Sequence, residues 1–138
     1  MHLVDRTGIE VLDRAACLEL LAADVVGRIG IVVQGSPVVL PINYVMDDEV
    51  VVFRTGAGSK LAAAERGTVC FEIDGFDREA RTGWSVLVSG RLEEVTRHQH
   101  SLLERVQELG VSPWIPEGRD HWMRIVPSHI TGRRVGAR

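Results

Sequence analysis

The sequence predicts a small, mostly antiparallel β-barrel with helices on its flank. Three observations carry that prediction. Twenty valines fall mostly in short clusters, and branched side chains suit a pleated, half-buried surface. The clusters mark six strand-like runs, several joined by turns of a few residues, the connection length of antiparallel neighbours. Few runs carry the charges or prolines that protect an exposed sheet edge, which favours barrel closure over a β-sandwich.

The elements follow in order. Asp13 to Val25 places Cys17, Leu18, Leu21, Ala22 and Val25 at helical spacing, with Asp13 as N-cap and Gly27 as the stop. From Arg28, Ile29, Ile31 and Val33 alternate as a strand until the turn Gln34-Gly35-Ser36-Pro37. Val38 to Met46 is the second strand, closed by Asp47-Asp48-Glu49, and Val50 to Arg54 is the third. After Thr55 to Ser59 comes a short alanine-rich helix, Lys60 to Glu65, ended at Gly67. Thr68 to Ile73 is a fourth strand, Asp74 to Thr82 a polar loop, and Trp84 to Val95 a long fifth strand. His98 to Leu109 has the apolar spacing of an amphipathic helix. Gly110 to Asp120 is a loop, and a last strand runs from His121 to Val135 with a break or bulge at Pro127.

A chain of 138 residues supports one domain, spanning residues 1–138, with a real core. Its net charge of −3 gives no basic footprint for nucleic acid. No apolar run approaches the roughly 18 residues of a membrane span, and Met1 to Glu10 has no signal-peptide core. Cys17 and Cys70 form no Cys-x-x-Cys pair and read as free thiols of a reducing compartment. The expectation is a soluble cytoplasmic domain that engages neither nucleic acid nor membrane.

Thr55-Gly56-Ala57-Gly58-Ser59-Lys60 stands between a strand and a helix and holds the only lysine among sixteen basic residues. Its glycines let backbone N–H groups converge on an anion, and the helix start and Lys60 add positive charge, so a phosphate is the natural guest. A permissive connection, with Ser59 capping the helix and Lys60 in solvent, accounts for the same residues. Residue types alone leave both open. The loop is not a Walker loop, because Ser59 precedes Lys60 and Leu61 follows it. Leu61 also replaces the third glycine of a dinucleotide fingerprint. His98 and His100, two apart on a helix, point about 200° apart and cannot share a metal. Trp84 opens the fifth strand, where an indole walls a ligand or seals a barrel end. Gly132-Arg133-Arg134 is a basic pair able to reach an anion or to lie solvated at a frayed end.

Taken together, Val26-Gly27-Arg28-Ile29-Gly30, Leu40-Pro41-Ile42-Asn43-Tyr44, Val50 to Lys60, Gly83-Trp84-Ser85-Val86 and Ile130-Thr131-Gly132-Arg133-Arg134 resemble a known family in order and spacing. The chain is similar, from Val26 to Val135, to the pyridoxamine-phosphate-oxidase-like superfamily of flavin-binding split barrels. Within it the likeness is to the short branch of uncharacterised flavoproteins and nitroimidazole-reductase-like proteins. The resemblance implies a six-stranded antiparallel split barrel of the FMN-binding type that forms a homodimer, with flavin mononucleotide in a groove between subunits. It implies that Ser59 and Lys60 hold the phosphate, helped by Arg54 and Thr55. Pro41, Ile42, Asn43 and Phe53 would line the isoalloxazine, Ser85 and Trp84 would contact the ring, and Arg133 would reach in from the partner. Pro41 stands where true pyridoxamine phosphate oxidases carry an arginine, and Ser59 where they carry a base, so that substrate is not expected.

The implied activity is a flavin-dependent oxidoreductase reducing a small planar substrate, the cofactor carrying the hydride chemistry. The same fold also houses deazaflavin-dependent reductases and haem-degrading proteins, so deazaflavin and haem stand as alternative cofactors. A non-catalytic flavin carrier or sensor would need the same pocket. A small β-barrel serving protein interactions would need no cofactor at all.

Overall fold

A computed structural model describes residues 3–4, 8–56, 61, 64, 67–114 and 121–136. The elements are β1 (Leu3–Val4), β2 (Glu10–Leu12), α1 (Arg14–Ala23), β3 (Val26–Val33), β4 (Ser36–Asn43), β5 (Val45–Asp47), β6 (Val50–Thr55), β7 (Thr68–Asp77), β8 (Thr82–Val95), α2 (His100–Glu108) and β9 (His121–Val135). All pairings are antiparallel, in the order β1-β2-β9-β8-β7-β3-β4, with β6 pairing both β5 and β9. Only Tyr44 separates β4 from β5. The pairings therefore close a circuit of six strand units, β3, β4–β5, β6, β9, β8 and β7, which is the expected split barrel.

The corner at Tyr44 has a local cause. Its backbone N–H donates to the Val25 carbonyl at 3.2 Å instead of joining a ladder. Its hydroxyl donates to the Leu21 carbonyl of α1 at 2.5 Å, and its ring meets Phe71 edge-on at 4.8 Å. Val38 to Met46 is thus two strands with different partners rather than the one run expected from its alternation. Burial pushes the Tyr44 phenol up, so it stays a hydrogen-bond donor.

Other boundaries also differ from expectation. Asp13 caps α1 as expected, its Oδ1 accepting from Ala16 N at 2.8 Å. The helix, however, ends at Ala23. Gly27 lies in β3, where a Cβ would overlap the Phe71 ring, so it serves close packing rather than helix termination. The Asp74 to Thr82 loop is largely a hairpin: β7 continues to Asp77, whose Oδ1 accepts from Glu79 N and Ala80 N at 3.0 Å. β1 and β2, of two and three residues, are too short to show as a pattern in the sequence; β2 extends the sheet through Leu12 opposite Gly132. The bulge does fall at Pro127, where the β8–β9 register shifts between Ser89 and Gly90. Of the expected Lys60 to Glu65 helix only Leu61 and Ala64 are described, and both are buried.

Inward-facing Ile29, Phe53, Phe71, Ile73, Val86, Val88, Met123 and Ile125 fill the barrel, joined by Cys17 and Leu21 of α1. Gly132 lets α1 sit close, since a Cβ there would come within 2.7 Å of Cys17 Sγ. A second cluster lies under α2, where Val106 and Val111 cover Val52 and Val95 beside Trp122. Arg105 of α2 pairs with Asp47 at 2.5 Å and holds that carboxyl below its ordinary value. Both cysteines are free, Cys17 buried and Cys70 exposed. Among the described residues no helix is long and apolar enough to cross a membrane.

Candidate functional site

The sequence-predicted site residues fall into two described groups. The first lines the split. β5 and β6 pair from Val45 opposite Val52; beyond the Tyr44 corner, Ile42 and Asn43 of β4 and Arg54 and Thr55 of β6 share no ladder pair. There β4 pairs only with β3, so these residues form two lips rather than a ladder. Asn43 Oδ1 accepts from Trp114 N at 2.8 Å, which fastens the segment after α2 across the lips. Pro41 is exposed on the outer face. The Ile42 and Phe53 side chains are buried in the core, which leaves their backbone as the part able to meet a ligand. Thr55 is the buried polar residue at the end of β6, and Arg54 stacks on the Trp122 ring at 5.0 Å. Ser59 and Lys60 lie outside the described residues.

The second group converges at the β7–β8–β9 end. Trp84 is flanked by Gly75 and Arg134, and Ser85 by Asp74 and Arg133. Period-two alternation sends Val86 and Val88 into the core and Ser85 outward beside Arg133. A cavity of about 270 Å³ results, lined by Asp74, Gly75, Phe76, Trp84, Ser85 and Arg133 among others. Gly75 gives the Trp84 ring its place at this end, because a Cβ there would stand 2.7 Å from the Trp84 Nε1. Trp84, Ser85 and Arg133 were all anticipated. Gly75 and Phe76 are not among the sequence-predicted residues, and Asp74 stands out in the sequence only as part of an acidic loop with Asp77 and Glu79; the signal available was period-two continuation of Phe71 and Ile73 into Gly75.

Beside the cavity, Arg28 of β3 reaches Glu72 Oε1 at 3.3 Å and Asp74 Oδ1 at 3.5 Å. Burial and the neighbouring Asp74 carboxyl push Glu72 up to about 7, against the opposing pull of Arg28. At the far end of β8, Glu94 meets His121 Nδ1 at 3.0 Å.

The described cavity lining holds no cysteine or histidine. On the Ser85 face its chemistry is the Phe76 ring, a hydroxyl, a guanidinium and a carboxylate, a set that fits an aromatic ring edged with carbonyl and N–H groups, while Trp84 shares the inward side of β8 with Val86 and packs against the core.

A closed antiparallel circuit split beside Tyr44, with an aromatic-walled cavity on its rim, defines a split-barrel protein. A family model described as pyridoxamine 5'-phosphate oxidase matches residues 13–134, and the chain belongs to that family. The chain is similar to a solved structure from Mycobacterium smegmatis described as an FAD binding protein. That match has 38% identity and a TM-score of 0.76, and covers 90% of this chain and 98% of that one. It is also similar to an FAD-binding protein from Mesorhizobium loti, at 25% identity and TM-score 0.68, covering 92% and 98%. An uncharacterised Mycobacterium tuberculosis protein is 33% identical over 132 residues, 91% of this chain and 85% of its own length.

Proposed function

We propose that the chain is a flavin-dependent oxidoreductase of a small planar acceptor, acting as a homodimer with the cofactor in the groove between protomers. The observation that carries this reading is the meeting of Trp84, Ser85 and Arg133 in one cavity. The flavin-binding descriptions of the Mycobacterium smegmatis and Mesorhizobium loti relatives support it. Trp84 closes the end of the site from the barrel side, Ser85 and Arg133 supply hydrogen bonds to ring carbonyls, and Pro41, Asn43 and the backbone of Ile42 and Phe53 form a second border from the lips. Arg54, Thr55, Ser59 and Lys60 take the phosphate. Because the lips and the cavity lie on different strands of one protomer, a partner that brings its own Arg133 to the groove completes the enclosure. When bound, a flavin supplies hydride transfer; the protein binds, orients and excludes water.

A second reading concerns the cofactor's length. Both solved relatives are described as binding FAD, which favours the dinucleotide over FMN for this chain.

The visible spectrum of the purified protein, before and after addition of FMN, FAD or deazaflavin, tests both readings. A flavin spectrum with ligand released on denaturation is expected, and light scattering at twice the 15.2 kDa chain mass. Lys60→Ala lowers flavin retention tenfold or more, as loss of a phosphate charge demands. A protein that stays colourless and binds none of the three overturns the proposal.

A further inference from the structure

The 270 Å³ cavity has a neighbour. A second cavity of about 250 Å³ is lined by Ile9, Val11, Ser85, Leu87, Thr131, Gly132 and Arg133. The two share Ser85 and Arg133. Each alone falls below the roughly 300–1,000 Å³ of ordinary ligand pockets, while together they enter that range. Ser85 and Arg133 thus stand at the waist of one two-lobed site.

The lobes differ in charge. Asp74 lines the first lobe, whereas the second has no acidic lining residue among those described. Arg134 leans on Glu10 at 3.8 Å, but among the described residues Arg133 has no ion-pair partner. A guanidinium left without an acid beside hydroxyls of Ser85 and Thr131 matches a carboxylate, which it can hold through two parallel N–H donors. Above it, Val11 and Leu87 are large apolar side chains left 46% and 43% exposed on the same outer face. Scattered apolar exposure is ordinary; two such side chains converging on a cavity beside an unpaired cation are a binding surface.

We propose that the second lobe is the acceptor subsite and takes a small amphipathic carboxylate, its anionic end on Arg133 and its apolar ring against Val11 and Leu87. The inference rests on the flavin reading for its role, since it names the substrate class of that same site. Asp74 repels the anion from the first lobe and leaves that lobe to the cofactor ring.

Benzoate serves as the probe, titrated into the protein as isolated and after flavin loading, with NMR of the Arg133 Nε–H and the Val11 and Leu87 methyl groups. Saturable shifts at all three are expected in both forms. Arg133→Gln weakens benzoate tenfold or more, Arg133→Lys less, and benzyl alcohol binds at least tenfold more weakly than benzoate. Thermal melting checks that the variants fold; Arg133 is exposed, so they melt with the parent. Shifts that miss Arg133, equal binding of benzyl alcohol, or displacement of flavin by benzoate would each overturn the subsite. Flavin binding is read separately by absorbance. A protein that holds flavin but not benzoate loses the subsite alone, and one that holds benzoate but not flavin loses the cofactor reading while the anion contact stands.

Discussion

Glu72→Gln is the perturbation whose outcome the structure fixes most closely. Glu72 faces Asp74 on its own strand and Arg28 from β3; from β8 the uncharged Leu87 stands opposite, and Arg133 lies one strand further, beyond Ser85. Its carboxyl is pushed from 4.5 up to about 7, by burial first and by Asp74 second. Between those values the folded protein holds a proton that the unfolded chain has released, so stability falls as pH rises through the window. A tenfold change in proton affinity is ~1.4 kcal/mol, which sets a ceiling of roughly 3 kcal/mol. The side chain is 32% exposed, and solvent screening reduces the effect to about 1 kcal/mol. Urea unfolding from pH 5 to 7.5 should show the wild-type midpoint dropping by about 0.5 M relative to Glu72→Gln, which cannot titrate there. Titrating groups remote from Glu72 act equally in both proteins and cancel. Parallel pH profiles, or a wild type that gains stability relative to the variant across this range, would refute the reasoning.

Two further substitutions probe separate parts of the molecule. Gly75→Ala forces the rigid Trp84 indole aside, because the new methyl would meet Nε1, Cε2 and Cζ2 at 2.7 to 3.0 Å. About 1–3 kcal/mol of stability is lost, and the Trp84 indole N–H resonance moves; an unmoved resonance contradicts the placement of the ring. Val106→Ala empties part of the fully buried cluster under α2 and costs about 2 kcal/mol. Benzoate binding stays unchanged in it, because α2 covers the Val95 end of β8 and the two cavities lie at the Ser85 end; binding titrations check this.

Most of the barrel is legible in the sequence because its inward positions alternate without interruption, as at Ile29 and Ile31 or Val86 and Val88. Where legibility fails, a tertiary contact has overridden a local pattern. Alternation carries straight through Tyr44, and only the backbone bond to Val25 and the hydroxyl bond to Leu21 break the strand there. Gly27 looks like a helix stop until the Phe71 ring is seen against it. Trp84, Ser85 and Arg133 were identifiable through their resemblance to a family's motifs. Their meeting at one cavity depends on the β7–β8–β9 register, which no local spacing encodes. The meeting of Arg28 with Glu72 and Asp74 is hidden for the same reason: it joins residues 44 positions apart.

The ladders of β9 also bear on how the chain acquires its shape. This strand pairs with β2, β6 and β8, so three separate edges meet their partner only in residues 121–135. During synthesis the meander of β3 and β4 and the β7–β8 hairpin can form as each leaves the ribosome, but β6 waits with one side unsatisfied until the final strand emerges. Nascent chains at that stage display a Val-rich, unpaired edge, the kind of surface that recruits chaperones and seeds association between neighbouring chains. Closure of the barrel is therefore governed by β9, the last of its strands to be made, and mutations in β9 should lower the yield of folded protein more than their effect on the finished barrel's stability would suggest.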